Sequence, residues 1–534
     1  MKKKYFILSL ILAGFWIGNI FPDGKENLKI ALIYPSSTKD ILYKTDPSYN
    51  PTEEWELFFL SHNYNYEVIN DYDIDEIGRD VNVLVIPSME VVSDDIIDEL
   101  NQLLEEGKGI LLTGNFADFD DQGKKRTGNH NNLTDFEIAK FNKDEQLSVN
   151  HFLNGNTPFS EGLKPGQKIL LSLKPLLYYA RNVSGNARPE GSYMLSEHEL
   201  PGIVSEEVTN GRLLWFGFNL SQIIDKHRNL LISNSLKWLS SRPEVFINNW
   251  PGNSEFAVVL YKNIETMDEL ESVKNLEINS LSVNYFVSPT LLEKYTDKLK
   301  VIPDSNNIDI LWDDFLFSQI DVNERIGWLE NMRRQLSNIA EQHYSGISSY
   351  GQFKDFKTPE LLRESGYQFV LSSDYSDSFF FDFDTTNNFF LFYRSANSNG
   401  YKQILRSESK TGGIFCVNED SAGRNFLSGL SSWNCWIPTF SELIDWIGKV
   451  KDLNITVEKS ESSNYEINLK NNNAASVSNA KIWISIPHLK RKTVVLVEGK
   501  ERELTFDHVK NMYYLILTSI RGYQEVSIRI PFND

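Results

Sequence analysis

Apolar and polar positions follow two different periods along this chain, and the change of period divides it. From Leu28 onward short, continuous apolar runs recur: LKIALIYP, VNVLVIPS (Val81 to Ser88), GILLTGN (Gly109 to Asn115) and later GRLLWFGFNL (Gly211 to Leu220). Between the second and third lies SDDIIDELNQLLEEGKG, in which Ile96, Ile97, Leu100, Leu103 and Leu104 fall on one helical face. Ser93 is placed to cap that helix, Asp94 and Asp95 sit in its first turn, and Gly107 is placed to end it. Strands apolar on both faces, joined by amphipathic helices, predict a parallel sheet covered on both sides. NLLISNSLKWLSSRP closes this region as a helix ending before Pro243.

A second region begins near Pro251. EFAVVLYKNIE, INSLSVNYFVSP and NNIDILWDDFLF predict strands, and ERIGWLENMRRQLSNIA a helix with Ile326, Leu329, Met332, Leu336 and Ile339 on one face. The stretch from Gly346 to Val370, GISSYGQFKDFKTPELLRESGYQFV, predicts a strand, a loop, a helix starting at Thr358-Pro359 and stopped by Gly366, and a further strand. GGIFCVNED follows as a strand, then WNCWIPTFSELIDWIGKV, with Phe440, Leu443, Ile444 and Ile447 at helical spacing. From Leu453 the period becomes two: YEINLKN, AKIWISIP, KTVVLVEG, MYYLILTSI and EVSIRIPF predict a small antiparallel sandwich of immunoglobulin-like type. The Asn- and Asp-rich stretch from Ala117 to Glu145 reads as a long surface loop.

Composition narrows the partners. The formal charge is -20, from 73 acidic and 53 basic residues, with no basic run longer than three residues. Phosphate polymers are held by clustered Lys and Arg, so this argues against nucleic acid. Aromatic residues make up 13% of the chain, which suits sugar stacking and large cores alike. The opening MKKKYFILSLILAGFWIGNIFPDG joins a charged n-region to an apolar run from Tyr5 to Phe21. That is the pattern of an export signal over residues 1–24, either cleaved or kept as a membrane anchor. It predicts an extracytoplasmic location: periplasm, cell surface or secreted. With no cysteine in or just after that run, lipoprotein attachment has no acceptor. The two cysteines, Cys416 and Cys435, are compatible with one disulfide or with two thiols.

The stretch VLVIPSMEVVSDDIIDELNQLLEEGKGILLTGN, with the later GRLLWFGFNL and its closing helix, resembles the class I glutamine amidotransferase-like fold. The closer likeness is to the trimerisation-type domains of some β-galactosidases and related carbohydrate proteins. The resemblance implies a flavodoxin-like α/β domain over residues 28–243. In active members a Cys nucleophile occupies the turn after the strand that GILLTGN forms. That turn here is Thr113-Gly114-Asn115, and the first 415 residues hold no cysteine, which excludes thiol catalysis in this domain.

The SVNYFVSP strand, the YG-x-x-K-D…TPELLRESGYQFVLSSD block and the WIPTFSELIDWI ending resemble the polysaccharide deacetylase family (NodB homology fold). This implies a distorted β/α barrel over residues 252–451, followed by the sandwich over 453–534. Hydrolytic members hold a divalent metal through an Asp and two His, with an Asp base and a late His acid. Carried onto this chain, the first acidic positions become Tyr261, Lys262 and Asn263, with Glu265 nearby, and the two His positions fall on Asp313 and Phe317. The usual Arg-x-Pro portion becomes Ser348 and Ser349, and the late His position falls on Glu419 or Asp420. The segment Gly252 to Lys451 contains one histidine, His343, so a site needing three imidazoles cannot be built.

The remaining candidates are carboxylates and rings. Asp309, Asp313 and Asp314 are the candidates for a hard cation, and Asp313, Glu419 and Asp420 for acid chemistry of the kind two carboxylates perform. Tyr261, Trp312 and Tyr350 are the candidates for stacking on a sugar ring at strand ends. No cofactor is implied. The expected function is that of an exported, non-catalytic relative of the deacetylases that binds or organises a cell-surface or exported polysaccharide. The alternatives are a divergent metal-dependent hydrolase using the acidic cluster, and a structural subunit of an envelope or secretion assembly.

Overall fold

The computed structural model describes residues 28–126 except 47, 133–141, 150–163, 168, 169, 171, 176–273 except 196, 197, 209, 224, 241 and 242, 281–312 except 301 and 303–305, 317–339 except 318 and 322, 344–349, 358–372, 382–384, 389–394, 412–459 except 423, and 465–531 except 487, 488 and 490–492. They form two compact units, one of Met1–Val149 with Leu170–Arg242, the other of Asn150–Ile169 with Pro243–Asp534. Residues 1–24, read from the sequence as an export signal, lie outside the described residues. Among those described, no helix is long and apolar enough to cross a membrane.

The first unit is built on β1 (Lys29–Tyr34), α1 (Ser36–Leu42), α2 (Glu53–Ser61), β2 (Asn65–Asn70), β3 (Val83–Pro87), α3 (Asp94–Glu105) and β4 (Gly109–Thr113). β5 (Arg188–Leu195), β6 (His198–Val208), β7 (Gly211–Phe216) and α4 (Asp225–Leu239) complete it. The strands lie in the order β2-β1-β3-β4-β7-β6-β5. The first five are parallel and the last two are antiparallel additions. Every residue of β3 and β4 is buried, as strands covered on both faces require. Leu84, Ile86, Ile110 and Leu112 meet the apolar stripe of α3 on one face. Ser93 caps α3 by accepting from the Ile96 amide at 3.2 Å, and Gly107 ends it with φ 90°. Two elements differ from the sequence reading. The edge strand β2 carries too many polar side chains to stand out as apolar. The stretch read as a loop from Ala117 to Glu145 contains Glu137–Lys140, which pairs with Tyr178–Arg181.

The second unit contains β8 (Glu244–Ile247), β9 (Phe256–Ile264), α5 (Met267–Val273), β10 (Val283–Val287), α6 (Pro289–Leu299), β11 (Asn307–Trp312) and α7 (Arg325–Ser337). It continues with β12 (Gly346–Ser349), α8 (Thr358–Glu364), β13 (Phe369–Ser372), β14 (Phe389–Tyr393), β15 (Ile414–Asn418), α9 (Glu419–Ala422) and α10 (Phe440–Lys451). Seven strands run parallel in the order β14-β13-β12-β11-β10-β9-β15. A parallel bridge from Arg394 to Cys416 links the two ends, so the sheet is a nearly closed barrel.

One face of that sheet packs on helices through Leu291, Leu292, Leu329, Met332 and Leu362. The other face encloses Phe286, Phe369 and Phe392, and Phe440 of α10 enters among them with ring centres 6.1, 4.7 and 4.9 Å away. The Thr439-Glu442 capping box holds the start of α10. Beyond α10 the chain forms two antiparallel sheets that share a core with the barrel lumen. One of them takes in β8, which pairs with Val477–Ser485 and which the change of period did not reveal. Cys416 lies opposite Val259 and Cys435 opposite Phe256, on strands flanking β9. No disulfide joins them.

Candidate functional site

Side-chain alternation along each barrel strand sorts the sequence candidates by face. On β9, Ala257, Val259 and Tyr261 belong to the lumen core, whereas Val258, Leu260 and Ile264 pack under the helices. Lys262 is therefore on the helix side. On β11, Leu311 faces the lumen while Ile308, Ile310 and Trp312 face the helices, which puts Asp309 in the lumen. Asp309 is completely buried, and Oδ1 accepts from the Gly346 amide of β12 at 2.8 Å.

The lumen mouth is occupied by Arg394, which directly follows β14. Its Nη2 donates to Ser348 Oγ at 2.6 Å, and its guanidinium carbon stands 5.6 Å from the Tyr261 ring centre. Arg394, Tyr261 and Ser348 are all buried. At the opposite end of the lumen, Asn284 Oδ1 accepts from the Phe440 amide and Asn307 Nδ2 donates to Ser441 Oγ, both closing α10 against the barrel. A cavity suited to a substrate needs room and convergent polar groups with capacity to spare. Among the described residues, Arg394 stands in one end of this lumen and Phe440 in the other.

Glu419 and Asp420 open α9, immediately after β15. Lys262 Nζ lies 2.7 Å from Asp420 Oδ1 and 3.9 Å from Glu419 Oε2. Glu419 is buried, and its Oε2 accepts no hydrogen bond. Burial raises the Glu419 carboxyl above the ordinary carboxylate range; Lys262 opposes this and Asp420 adds to it. On β15 Phe415 and Val417 pack under the helices while Ile414 and Cys416 face the lumen, and that alternation, with Lys262 beside it, puts Glu419 on the helix side of the sheet. Asp309 and Glu419 thus stand on opposite faces of the barrel wall and cannot share a cation. Among the described residues no three His, Cys, Asp or Glu side chains are grouped to hold a metal. Asp313, Asp314, Tyr350 and His343 lie outside the described residues.

Two of the stacking candidates are placed differently from the expectation. Trp312 is 2% exposed and lies against Phe317, ring centres 4.0 Å apart, on the helix side. It offers no face at the mouth, because the sixth residue of β11 follows the same alternation as Ile308 and Ile310. Tyr261 does face the lumen, but its ring lies beneath Arg394. Arg394 itself was not singled out from the sequence; the signal for it is a cation directly after the aromatic strand FFLFY.

In the first unit the turn after β4 has the backbone reversal that a nucleophile turn uses, with φ 64° at Gly114. A Cβ built there would stand 2.4 Å from Ser88 Oγ and 2.8 Å from Asn219 Oδ1. Those two atoms are hydrogen-bonded to each other at 2.9 Å, so the space beside the turn is closed to any side chain. Nearby, Tyr43, Tyr49 and Glu90 gather at the same edge of the sheet, a cluster that no spacing in the sequence announces.

Fold and sites define a mixed α/β protein with a nearly closed parallel barrel-like sheet and several antiparallel sheets. No family model matches the chain, and no curated protein does. Among solved structures it is similar to a catalytic mutant of the GH42 β-galactosidase of G. stearothermophilus, at 14% identity over 41% of this chain and 31% of that one, TM-score 0.30. It is also similar to the β-galactosidase of Bacillus circulans sp. alkalophilus, at 13% identity over 43% and 35%, TM-score 0.31. A protein assigned as a polysaccharide deacetylase from Mycobacterium smegmatis matches at 14% identity over 40% of this chain and 96% of that one, TM-score 0.29. The chain spans about a third of the length of the β-galactosidases it matches. These are weak likenesses of fold and nothing more.

Proposed function

We propose that this is an exported protein that binds or organises a cell-surface or exported polysaccharide without hydrolysing it, on a deacetylase-like barrel, an amidotransferase-like domain and an immunoglobulin-like sandwich. The observation that carries the non-catalytic part is Arg394. It occupies the lumen mouth with Ser348 and Tyr261, where a hydrolase needs a water-filled metal site. The Gly114 turn, hemmed in by Ser88 and Asn219, supports the same reading for the first unit. The polysaccharide part is supported by the sequence resemblance of residues 252–451 to the deacetylases, and export by the run from Tyr5 to Phe21. The test is titration calorimetry and a glycan array with residues 25–534. Binding of a polysaccharide with no release of acetate or reducing sugar is expected, and no binding at millimolar glycan removes the polysaccharide part.

One observation favours a hydrolase as the second reading: Glu419 is a buried carboxyl held above its ordinary range, as general acids are. This reading predicts metal-dependent release of acetate that disappears in Asp313→Asn and in Glu419→Gln. Release that survives both substitutions sinks it.

A further inference from the structure

In the first unit the strand order reverses between β1 and β3: the chain leaves β1 towards β2 on one side and returns to β3 on the other. Open α/β sheets bind ligands in the crevice that such a reversal leaves beyond the carboxyl ends of the strands. Here the crevice is lined from both sides. From the β1 side come Tyr43 and Tyr49, stacked with ring centres 4.2 Å apart and planes 6° from parallel. From the β3 side come Ser88 and Glu90.

The two sides are tied together. Tyr43 Oη donates to Glu90 Oε1 at 2.8 Å, Asn115 Nδ2 donates to Glu90 Oε2 at 3.2 Å, and Tyr49 Oη reaches the Ser88 carbonyl at 3.5 Å. Tyr43, Tyr49, Ser88 and Glu90 are all half-buried, so the cluster is held in place yet open to solvent. Ser88 has φ 43° and Ala117 φ 55°, left-handed backbone in the loops that follow β3 and β4. Residues other than glycine keep such conformations where the surroundings enforce them, most often at ligand sites.

The chemistry of the lining selects the ligand. A stacked aromatic pair offers a flat apolar surface, and Glu90, with one hydrogen bond on each oxygen, retains a lone pair on each for further donors. Asn219, whose Oδ1 is taken by Ser88, contributes the amide on the other side. Glu90 in the cluster and Asp71 beyond it are the carboxylates at this edge; burial first, and then Tyr43, Glu90, Tyr34 and Asp71, raise the Tyr49 hydroxyl. An anion is disfavoured there; a ring with an apolar face and vicinal hydroxyl donors fits. We infer that this crevice binds a neutral pyranose, its face on the Tyr43–Tyr49 pair and its vicinal hydroxyls on Glu90 and Asn219. The inference takes the polysaccharide reading as its starting point and gives it a location.

The test is saturation-transfer NMR on residues 25–534 with methyl glucoside, methyl galactoside and methyl N-acetylglucosaminide, and with glucuronate and inorganic phosphate as anionic probes. Transfer to at least one neutral glycoside is expected, weakened roughly ten-fold or more in Glu90→Gln and in Tyr49→Ala and kept in Tyr49→Phe, which retains the ring. Thermal melts check that each variant is folded. The inference is overturned by absence of transfer to all three neutral glycosides, by transfer that neither substitution weakens, or by tighter binding of glucuronate or phosphate. Polysaccharide binding that persists unchanged in both variants overturns the crevice alone. Glycoside transfer in a protein that binds no polysaccharide overturns the polysaccharide reading alone.

Discussion

At the carboxyl edge of the barrel, the space between the strands is taken by the barrel's own side chains: Arg394 against Ser348 and Tyr261 inside the wall, Lys262 against Asp420 and Glu419 outside it. At the carboxyl edge of the first unit's sheet, Tyr43, Tyr49 and Glu90 stand half-exposed across the gap between β1 and β3. Both edges derive from the same rule, that parallel strands converge their loops at one end. The difference lies in where the charges are. In the barrel Arg394, Lys262 and Glu419 are withdrawn from water, with Asp420 alone left exposed, so that edge belongs to stability. In the first unit the polar groups keep contact with solvent, so they are available to a ligand at small cost to the fold.

The largest effect that separates the two edges is expected from Arg394→Ala. It leaves Ser348 Oγ without its donor, removes the cation above Tyr261 and opens a void in the lumen. Together these destabilise the second unit by about 4 kcal/mol. Arg394→Met fills the void and loses the hydrogen bond alone, about 2 kcal/mol. Urea unfolding followed by tryptophan fluorescence measures both. A loss below about 1 kcal/mol for Arg394→Ala would mean that the mouth is solvated and the contrast with the first unit does not hold.

Next is Lys262→Met, which strands Glu419 in a buried position with no countercharge and costs about 3 kcal/mol near neutral pH. Adding Glu419→Gln recovers most of that loss, because no buried charge then remains to be compensated and Asp420 is exposed to water. The pH dependence has a fixed sign. The folded state raises the Glu419 carboxyl, so it holds that proton more tightly than the unfolded chain. The corresponding stability is fully present below the ordinary carboxylate range and is lost as pH rises through the raised folded value. Lys262→Met raises that value further and extends the loss to higher pH. Melting temperatures between about pH 4 and pH 8 distinguish the variants, and parallel curves for Lys262→Met and the parent would break the pairing.

Much of this was legible in the residues and some was not, for reasons the structure makes plain. Ser93, Gly107 and the α3 stripe declared a helix because capping and periodicity are local. Most barrel strands declared themselves as apolar runs, whereas β14 was not read as a strand. Trp312 was misplaced because an aromatic at a strand end is equally suited to either face, and only the alternation fixed by Ile308 and Ile310 decides. Arg394 and Glu90 went unread because their partners, Ser348 and Tyr43, are 46 and 47 residues away, and no pattern in either neighbourhood encodes the meeting. β8 was missed because its partner strand begins at Val477. What sequence lacked in each case was a long-range pairing, not a local propensity.

A smaller effect is expected at the turn after β4. Gly114→Ala places a methyl group in left-handed backbone and against Ser88 Oγ and Asn219 Oδ1. It costs about 2 kcal/mol, of which roughly half is backbone strain. Ser88→Ala in the same chain relieves the closer of the two collisions and leaves the strain and the contact with Asn219, so the double variant is more stable than Gly114→Ala alone. Chemical denaturation of the three proteins measures the coupling. Additive losses would show that the side chains beside the turn are free to move away, and that its closure is not enforced.

The smallest stability effect, and the one that bears most directly on the contrast between the two edges, is expected from Tyr43→Phe. The Tyr43 hydroxyl is pushed up to about 12, first by burial and then by its hydrogen bond to Glu90 and that residue's charge. Removing it deletes one hydrogen bond between two half-buried groups, and water reaches the Glu90 oxygen that is released. The loss is therefore about 0.5 kcal/mol, well under that of Arg394→Met, although each substitution removes one bond to a charged or polar partner. Glu90→Gln supplies the complement: the Tyr43 hydroxyl then loses the Glu90 charge, one of the causes of its elevation, and titrates at lower pH, which ultraviolet difference spectra of the phenolate read directly. If Tyr43→Phe instead costs as much as Arg394→Met, the crevice edge is structural like the barrel mouth, and its side chains owe their arrangement to the fold alone.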